Sequence, residues 1–531
     1  MIGYADTTIT ISHAVPASLL DFRRRSSRSH PWRHNMGIKL ADLFDGIRIV
    51  ARKGGLEASA GSIVIDSRRA APGCLFFALP GLRADGNDFV DEAIARGAVA
   101  VVSPRPRFFV PARVTYLQIE NARAVLAEVS RRFYGKPDAQ LELIGVTGTN
   151  GKSTVTHVLK HLLGGGDTPV GLIGTINYDL GRRTVPSYKT TPESVDLYGM
   201  LAQMRDAGCR SAVMEVSSHG IDQLRVHGMR FAAAAFTNLT RDHLDYHGSL
   251  DAYFAAKARF FTGEAVPLPP VAVVNIDDSY GRQLVKIIPR PARIVTYAIG
   301  REALLRAIGV ELGFTGTRFR LEWPGGSAPV ETSLLGGYNA SNLLCALAIC
   351  HGMGYDFARI LPRIATIPGI PGRMERIEND LGANVLVDYA HTDDALHNAL
   401  SMLRAITPGR VLAVFGCGGN RDRTKRPRMT AVVQELADFG WATSDNPRKE
   451  ALEQIFADMK TGVSDPARII FIEERRRAIS LALDAARPGD SLLIAGKGHE
   501  PFQEFEDTVI TFDDRQIARE LIAIKEMSSE S

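Results

Sequence analysis

A glycine-rich turn followed by a Lys-Ser-Thr triplet restricts the fold of this chain more than any other feature. An apolar run leads into it over Glu142–Thr154. Beyond the turn, Val155, Val158, Leu159 and Leu162 lie at i, i+3, i+4 and i+7, the spacing of one helix face. A strand, a glycine loop and a helix in this order place backbone N–H groups and a helix N-terminus around an anion. The run therefore predicts an α/β fold that binds phosphate.

The loop departs from the commonest phosphate-loop spacing, G-x-x-x-x-G-K-[ST], because Val146 stands at the first glycine position. The spacing that remains, G-x-x-G-x-N-G-K-S-T, is a narrower variant. We expect Lys152 to reach the outer phosphates of a nucleotide and the Ser153 hydroxyl to bind Mg²⁺. The nucleotide-binding residues predicted here are Gly148, Thr149, Asn150, Gly151, Lys152, Ser153 and Thr154.

Length and composition exclude several classes of protein. A chain of 531 residues is too long for one core, since domains average about 150 residues. Its net charge of +4 argues against the concentrated basic face of a nucleic-acid-binding protein. No apolar run approaches the ~20 residues of a membrane span. The 5 cysteines are widely spaced and predict a reducing compartment, the cytoplasm, without disulfides or a zinc site.

The alternation of strand and helix patterns divides the chain into four parts. Residues 1–36 carry several arginines without an apolar segment, and we expect a flexible basic extension. Residues 37–140 form a small α/β unit, in which Ser62–Asp66 and Cys74–Leu79 are candidate strands. Residues 141–368 predict a doubly wound, mostly parallel sheet, and residues 369–531 repeat the alternation. The run Ile367–Gly372 has the proline and glycine punctuation of a domain junction.

Polar residues cluster where the predicted central strands end. Glu215 and Ser217 follow one strand, and Asp242 and His243 follow another. Ligands of such sheets bind beyond the carboxyl ends of the strands, and Mg²⁺ prefers a carboxylate beside the phosphates. These residues therefore predict a magnesium–nucleotide site.

A lysine interrupts the apolar stripe of the helix that Ser249 is expected to cap. Lys257 falls between Tyr253 and Phe260 on the inward face. Such a lysine snorkels to the surface, pairs with a carboxylate or loses its charge. Spacing alone favours snorkelling. The alternative is a reaction with CO₂ that yields a carbamate, an anion suited to a hard cation.

Further polar loops follow the remaining strands. Asn339 and Asn342 precede an apolar helix and either bond a base or ribose or cap that helix. Thr392 is expected to cap the next helix. The glycine turn Gly416–Arg423 holds two arginines, which suit phosphate or carboxylate. The other strand-end loops are Asp388–His391, Asp445–Arg448 and Gly496–Glu500.

In this order the motifs resemble the Mur ligase family, the ATP-dependent amide-forming enzymes of peptidoglycan assembly. The resemblance covers residues 37 to 525 and includes Lys189–Pro192, Glu215–Gln223 and Asp445–Arg448. It implies three α/β domains: a small domain for the uridine nucleotide, a central P-loop ATPase domain and a C-terminal Rossmann-like domain for the amino acid.

The resemblance also implies roles for individual residues. The implied catalytic residues are Lys152, Glu215, His243 and Lys257. The implied Mg²⁺ ligands are Ser153, Glu215, His243 and Lys257, with the lysine carbamylated by CO₂, which reverses the preference for snorkelling. The nucleotide clamp matches Asn339, Arg373, Asp388 and His391. The UDP-sugar peptide site matches Ser67, Thr190, Thr191, Ser217, Gln223 and Arg225. The pocket for the incoming amino acid matches Arg421, Asp445, Asn446, Pro447, Arg448, Gly496 and Glu500.

The implied reaction adds meso-2,6-diaminopimelate to the D-Glu γ-carboxyl of UDP-N-acetylmuramoyl-L-Ala-D-Glu through an acyl phosphate. Arg448 suits the distal carboxylate of diaminopimelate, which lysine lacks. When lysine binds, the guanidinium is left without a partner, and this penalty discriminates against lysine. ATP and Mg²⁺ are the implied cofactors. We expect a monomer that acts on small molecules and binds no nucleic acid.

Two alternatives remain open. One is another ligase of the family, adding lysine or a different group, or a folylpolyglutamate synthetase; Arg448 and the uridine-type N-terminal unit argue against both. The other is a nucleotide-binding module without catalysis, since a fold alone does not imply a function. The chain departs from the family pattern at Asp393, where proline is usual, and at Asn420, where aspartate is usual.

Overall fold

Three large sheets, with five, eleven and six strands, are built from consecutive stretches of the chain. The computed structural model describes residues 37–81, 84–164 and 168–529, so the predicted basic extension lies outside the described residues. The predicted α/β class with its parallel sheets is confirmed. Within the described residues, no helix is both long enough and apolar enough to span a bilayer.

The N-terminal sheet has the strand order β2-β7-β6-β5-β4, parallel except for β2. Its predicted strand Ser62–Asp66 ends earlier, at Val64, because the Asp66 carboxylate accepts the Arg68 backbone N–H at 3.0 Å and starts a 3₁₀ turn. The strands of this unit are β1 (Ile38–Lys39), β2 (Ala51–Lys53), β3 (Ser59–Ala60), β4 (Ser62–Val64), β5 (Cys74–Phe77), β6 (Ala100–Ser103) and β7 (Thr115–Gln118). Its helices are α1 (Leu40–Leu43), α2 (Val90–Ala95) and α3 (Ala122–Phe133).

The central sheet has the order β11-β10-β9-β12-β8-β13-β14-β15-β16-β17-β18. From β9 to β16 neighbouring strands are parallel, as predicted. Its strands are β8 (Glu142–Thr147), β9 (Val170–Ile173), β10 (Asn177–Asp179), β11 (Thr184–Pro186), β12 (Ser211–Glu215), β13 (Ala233–Phe236), β14 (Val271–Asn275), β15 (Arg293–Ala298), β16 (Leu305–Gly313), β17 (Gly316–Trp323) and β18 (Gly326–Thr332). The helices are α4 (Lys152–Leu163), α5 (Ser194–Asp206), α6 (Ser218–Asp222), α7 (Leu244–His247), α8 (Leu250–Ala258), α9 (Ser279–Ile287), α10 (Gly337–Gly352) and α11 (Phe357–Ile360).

Antiparallel strands at both ends of this sheet were not predicted. Strands β16, β17 and β18 form a meander joined by tight glycine turns, and β9, β10 and β11 form a second one. Along β17 buried and exposed residues alternate, which suits a sheet with one face in water. The helix–strand alternation of a parallel sheet therefore stops before the end of the segment.

Helices α4 and α10 cover one face of the parallel strands. The predicted stripe of α4, from Val155 to Leu162, is buried against them and against α10. Helix α10 is buried on nearly all sides, which explains its continuous apolar sequence. This packing anchors the phosphate loop, because α4 begins at Lys152, within that loop.

The C-terminal sheet has the order β19-β20-β24-β21-β22-β23, parallel except for β19. Four of its strands match runs that the sequence predicts as strands, Val385–Asp388, Val411–Phe415, Trp441–Thr443 and Ser491–Ala495. Strands β19 and β23 and the separate hairpin β25–β26 were not predicted. The strands are β19 (Glu375–Ile377), β20 (Asn384–Asp388), β21 (Val411–Cys417), β22 (Phe439–Ser444), β23 (Ile469–Ile472), β24 (Ser491–Ala495), β25 (Phe502–Phe505) and β26 (Thr508–Thr511). The helices are α12 (Asp393–Ile406), α13 (Lys425–Leu436), α14 (Leu452–Lys460), α15 (Arg475–Ala485) and α16 (Asp514–Ser529).

Candidate active site

The phosphate loop connects β8 to α4 in a conformation that needs glycine. Gly148 and Gly151 have φ angles of 149° and 86°, in the range that side chains disfavour. A Cβ atom at Gly148 would lie 1.9 Å from Thr237 Oγ1, and one at Gly151 would lie 2.2 Å from Asn342 Oδ1. Either substitution would push the loop away from the side chains that support it.

Two lysine amines meet at this loop. Lys152 Nζ donates to the carbonyls of Gly148, at 3.0 Å, and Thr149, at 2.8 Å. Lys257 Nζ reaches the same Gly148 carbonyl from helix α8, at 2.9 Å. The Lys257 side chain is buried, with the residue only 1% exposed, so the snorkelling favoured by spacing alone is wrong.

Burial makes both amines easier to deprotonate. It lowers the pKa of Lys152, and it lowers the pKa of Lys257 well below its ordinary value, with the Lys152 charge acting in the same direction. The neutral form of Lys257 is thereby favoured. A neutral buried amine is a nucleophile rather than a counter-ion.

Glu215 ends strand β12, next to the phosphate-loop strand β8. The residue is 0% exposed. Its carboxylate accepts hydrogen bonds from the Thr175 backbone N–H at 2.8 Å and the Thr175 hydroxyl at 3.0 Å. Its charge acts on the Lys152 amine. The carboxylate is therefore held beside the phosphate loop, the position expected of a group that acts at the phosphates of a nucleotide.

His243 has a left-handed backbone, φ 55°, and is the N-cap residue of helix α7. Burial lowers the pKa of its imidazole to about 4; the Lys152 charge acts in the same direction, and the Asp242 charge opposes it. The ring is therefore neutral at physiological pH. A neutral imidazole keeps the lone pair that a metal ligand needs.

The residues around the loop fit a magnesium ion that arrives with a nucleotide. In the described part of the chain, no cluster of three or more His, Cys, Asp or Glu side chains is arranged to hold a metal. Mg²⁺ is commonly held by one or two carboxylates together with substrate phosphates and water. Glu215, the Ser153 hydroxyl and neutral His243 supply such a partial set.

The nucleotide-clamp residues come from both sides of the predicted junction. Arg373 Nη2 donates to Ser153 Oγ at 3.2 Å, and its guanidinium stacks on the Tyr389 ring, 4.7 Å from the centroid. Asp388 accepts the backbone N–H groups of Met374 and Ala390 at 2.7 and 2.8 Å. Burial raises the pKa of Asp388. These contacts bring the C-terminal unit onto the first residues of helix α4.

Of the remaining predicted clamp residues, Asn339 is buried and His391 is half-buried. His391 Nδ1 lies 2.8 Å from the Tyr389 carbonyl, and desolvation lowers the pKa of its imidazole to about 4, with the Lys425 charge acting in the same direction. Asn339, in the first turn of helix α10, donates from Nδ2 to the carbonyl of Leu335, which precedes that helix, at 2.8 Å. The capping interpretation is wrong for both asparagines, because the N-cap of α10 is Gly336. Thr392, by contrast, caps α12 as predicted.

A hydrogen-bonded network joins the predicted muramoyl-peptide residues to Glu215. Thr191 Oγ1 donates to the Glu215 carbonyl at 2.9 Å and accepts the Ser217 N–H at 3.0 Å. Arg225 donates to the Thr191 carbonyl at 2.8 Å and to the Gln223 side chain at 2.6 Å. The Thr190 hydroxyl lies 3.0 Å from that of Thr175, which also binds Glu215.

Ser67 lies apart from that network, in the N-terminal unit. Its buried hydroxyl donates to Glu92 Oε2 at 2.6 Å. A second polar group in the same unit joins Ser103 and Asn87 beside the Asp85 turn. Polar groups at these strand ends are the positions expected for a nucleotide portion of a substrate.

Two strand-end loops of the C-terminal unit meet in one cluster of polar side chains, at the position of the predicted amino-acid pocket. Asn446, after β22, donates to Glu500 Oε2 at 2.9 Å and accepts Lys497 Nζ at 3.0 Å. Burial raises the pKa of Glu500. The charges of Lys497 and Arg475 hold the pKa of Asp445 below its ordinary value although burial raises it. A Cβ atom at Gly496 would lie 2.8 Å from Asp445 Oδ2, so the two loops touch.

Arg448 lies at the edge of this pocket with a left-handed backbone, φ 57°. Its Nε donates to Glu504 Oε2 at 2.9 Å and its Nη1 donates to the Gly419 carbonyl at 3.0 Å. Arg421 is exposed on the facing glycine turn. Asn420, one of the departures, has φ 53° and accepts the Lys449 N–H at 3.0 Å, a turn conformation that asparagine tolerates well.

Comparison with known proteins agrees with this geometry. The family models described as "Mur ligase family, catalytic domain", "Mur ligase middle domain" and "Mur ligase, glutamate ligase domain" match residues 60–134, 146–350 and 372–498. The UDP-N-acetylmuramoyl-L-alanyl-D-glutamate–2,6-diaminopimelate ligase of Synechococcus elongatus is 43% identical over 479 residues, 88% of this chain and 95% of the relative. The chain belongs to the Mur ligase family.

Solved structures of Mur ligases share the fold. A UDP-N-acetylmuramoyl-L-alanyl-D-glutamate–2,6-diaminopimelate ligase is 34% identical with a TM-score of 0.66, covering 92% of this chain and 100% of that one. The MurF ligase of Thermotoga maritima, in complex with ADP, is 19% identical with a TM-score of 0.59, covering 88% and 98%, which shows the fold alone. The family resemblance and the expectation of an ATP-dependent ligase are confirmed.

Sequence reasoning missed four polar residues of this Mur ligase site. Lys497 is 0% exposed and was overlooked although it stands inside the predicted loop Gly496–Glu500. Asp394 Oδ2 accepts Asn150 Nδ2 at 3.0 Å, and its signal was a second acid in the first turn of α12. Glu193 forms an ion pair with Arg225, and Glu504 forms one with Arg448. A single acidic residue of this kind belongs to no local sequence pattern that would predict its partner.

Proposed function

We propose that this Mur ligase adds meso-2,6-diaminopimelate to the D-Glu γ-carboxyl of UDP-N-acetylmuramoyl-L-Ala-D-Glu, using ATP. The observation that carries the proposal is Arg448, held at the rim of the polar pocket formed by Asn446, Lys497 and Glu500. A guanidinium binds a carboxylate through two parallel hydrogen bonds. The relatives named as diaminopimelate ligases, at 39–43% identity, support the same substrate.

The first chemical step is the attack of the D-Glu γ-carboxylate on the γ-phosphate of ATP. The N–H groups of the glycine loop and the amine of Lys152 neutralise the charge that spreads over the phosphoryl oxygens. The peptide arm of the substrate is oriented next to Glu215 by the hydrogen-bonded network of Thr190, Thr191, Ser217, Gln223 and Arg225. The product of this step is an acyl phosphate and ADP.

In the second step an α-amine of the amino acid attacks the acyl carbon, and phosphate leaves. The far end of the amino acid is held by the pocket residues Asp445, Asn446, Arg448 and Glu500. Holding that end fixes the direction from which the amine attacks. Pro447, Gly496 and Arg421 shape the same pocket. Because Asn446 contacts both Lys497 and Glu500, the pocket is organised before the substrate binds.

Mg²⁺ bound by Ser153, Glu215 and His243 would supply further charge neutralisation at the phosphates. Lys257 would be a further ligand of that ion as a carbamate: the neutral amine would add to CO₂ with release of one proton and leave an anion at the end of the side chain. The low pKa of the buried amine supports this role, because only the neutral form has the lone pair. ATP is held by the loop residues 148–154 and by Asn339, Arg373, Asp388 and His391.

Ser67 and its strand-end neighbours take the uridine nucleotide in the N-terminal domain, residues 37–140. Residues 141–368 form the ATP domain and residues 369–531 the amino-acid domain. We place the enzyme in the cytoplasm, because ATP and the UDP-linked substrate are cytoplasmic small molecules, and we propose that it acts as a monomer.

Release of phosphate from ATP in the presence of UDP-N-acetylmuramoyl-L-Ala-D-Glu tests the proposal. Assays with meso-diaminopimelate, with L-lysine and without an amino acid separate the substrates. We expect strong release only with meso-diaminopimelate. Equal or faster phosphate release with lysine would be consistent with a ligase but would overturn diaminopimelate as its amino acid. No phosphate release in any of the assays would contradict the proposed catalysis.

A further inference from the structure

The hairpin β25–β26 is bound to the loop that carries Arg448. The Arg448 N–H donates to the Glu504 carbonyl at 2.9 Å, and the Glu506 N–H donates to the Arg448 carbonyl at 2.5 Å. The Glu504 N–H donates to Asn446 Oδ1 at 3.1 Å, and the buried Gln503 side chain donates to the Asp445 carbonyl at 3.0 Å. The left-handed backbone at Arg448 is therefore held in place from the hairpin side.

The guanidinium of Arg448 has five N–H donors. Its Nε–H donates to Glu504 Oε2 at 2.9 Å. Its Nη1 donates to the carbonyls of Gly419, at 3.0 Å, and Asn446, at 3.5 Å. Among the described residues, none accepts a hydrogen bond from Nη2. Nη2 is thus the nitrogen available to a ligand, because Glu504 binds Nε–H and the two carbonyls bind Nη1.

We infer that Glu504 is a positioning residue that sets the specificity of the amino-acid pocket by fixing the direction in which the Arg448 guanidinium offers Nη2 to the ligand. The inference rests on the proposed function, in which the incoming amino acid carries a distal carboxylate. With Nε bound to Glu504 and Nη1 bound to backbone carbonyls, that carboxylate pairs with Nη2. Without Glu504 the guanidinium loses its side-chain partner and turns about its last torsions.

The fixed direction of Nη2 matters for the configuration of the distal carbon. A distal carbon of diaminopimelate carries a carboxylate, an ammonium group and the chain, so binding the carboxylate in one direction also fixes where the ammonium points. Glu500, bonded to Asn446 and Lys497, is the acid of the pocket. A guanidinium that is not held in one direction accepts the carboxylate from both configurations. Glu504 therefore contributes to discrimination between meso- and LL-diaminopimelate.

Steady-state kinetics of Glu504 variants in the full chain test this inference. For Glu504→Ala we expect the KM for meso-diaminopimelate to rise about tenfold, the value of one charge-assisted hydrogen bond, with kcat and the KM for ATP little changed. The preference for meso- over LL-diaminopimelate falls as well. Glu504→Gln keeps an acceptor oxygen at the same reach and restores both values to near those of the wild type. Glu504→Asp keeps the charge but not the reach, and behaves like Glu504→Ala.

Glu506→Ala is the matched control, because it removes the same charge from an exposed side chain of the same hairpin. Circular dichroism confirms that each variant is folded. An unchanged KM and an unchanged meso preference in both Glu504→Ala and Glu504→Asp would overturn the inference. So would a Glu504→Gln variant as impaired as Glu504→Ala, since charge rather than position would then be at work. If the wild type itself releases no phosphate in response to diaminopimelate, the proposed function is contradicted, and this outcome is distinct from an effect of the Glu504 variants.

Discussion

The position of Lys257 gives its amine a chemistry that a surface lysine lacks. Helix α8 brings the side chain under the phosphate loop, where its amine bonds the same carbonyl as Lys152. Two ammonium groups at one carbonyl repel each other, and burial penalises both charges. The neutral amine of Lys257 is the form that reacts with CO₂. The apolar stripe alone did not reveal this, because spacing gives the face of a helix but not what lies opposite it.

We predict that Lys257 carries a carbamate and that activity depends on it. Incubation with ¹³C-labelled bicarbonate should give one carbamate carbon resonance that is absent in Lys257→Ala, and this variant should lose at least about 10²-fold in kcat, as expected when a group that stabilises a charged transition state is removed. Lys286→Ala, a change of an exposed lysine, is the control. A wild-type enzyme that stays fully active after thorough removal of CO₂, without the resonance, would contradict the prediction.

Arg448 is predicted to decide between diaminopimelate and lysine. Arg448→Ala should lower kcat/KM for meso-diaminopimelate by roughly 10²-fold or more, because a buried carboxylate loses its charged partner. Activity with lysine should change much less, since lysine offers no distal carboxylate. The measurement is the ratio of kcat/KM for the two amino acids. A parallel loss with both would instead indicate that the variant damages the loop.

At the scale of elements, an ion cluster braces the two loops of the amino-acid pocket. Arg426, 0% exposed on helix α13, donates to Glu450 Oε1 and Oε2, both at 2.7 Å, and to Asp458 Oδ2 at 2.8 Å. Glu450 also accepts the Asn420 N–H at 2.9 Å, so the cluster fixes the glycine turn opposite Arg448. Hydrogen bonds from Arg426 lower the pKa of Glu450 to about 2, and those from Arg423 lower the pKa of Asp458 to about 2.

We predict that this cluster stabilises the C-terminal unit and fails in acid. Arg426→Met should cost about 3 kcal/mol, because two carboxylates lose their partner, and lower the Tm by about 5–10 °C. Both carboxyls have folded-state pKa values below their ordinary 4.5 and 3.8. Their contribution is therefore present above those values and is lost as the pH falls from about 5 towards 2.

Thermal unfolding followed by circular dichroism, at pH 7 and at pH 3, measures both effects. Arg476→Met, which breaks the exposed pair with Glu520, is the control and should cost under about 1 kcal/mol. The difference between the wild type and Arg426→Met should shrink at pH 3. A difference that is equal at both pH values would show that packing of the arginine, and not its ion pairs, is responsible.

The elements that the sequence predicted are those with a strong local pattern. Strands such as β24 (Ser491–Ala495) and the helix stripe of α4 are continuous or periodic in apolar residues, and the loops after parallel strands collect at one edge of the sheet. The hairpin β25–β26 was missed because it is short, half-exposed and rich in acids. Its role depends on contacts with Arg448, more than fifty positions earlier, which no local window contains.

On the scale of the whole molecule, the central and C-terminal units meet across the nucleotide site. Arg373 bonds Ser153, and Asp394 bonds Asn150 of the phosphate loop. A ligand that contacts both units therefore adds further contacts across this interface. We propose that the chain crosses between the units at Ile367–Gly372, the run of prolines and glycines predicted as a junction. Such a segment is where a hinge is expected.

Gly372 links this junction to the amino-acid pocket. It has φ 63°, and a Cβ atom there would lie 2.1 Å from the backbone nitrogen of His499, in the loop Gly496–Glu500. A side chain at this position separates the junction from that loop and strains the left-handed backbone. Gly369, in the same junction, has open space around its Cβ position. The two glycines form a matched pair.

We predict that the enzyme closes about this junction when ATP and the amino acid are bound. Small-angle scattering of the wild type should show a smaller radius of gyration with a non-hydrolysable ATP analogue, the UDP-linked substrate and meso-diaminopimelate than without ligands. Gly372→Ala should lose this contraction and at least about tenfold in kcat, because a gating step is impaired, while Gly369→Ala should behave as the wild type. Scattering profiles that are identical with and without ligands would contradict closure, and equal behaviour of the two variants would place the hinge elsewhere.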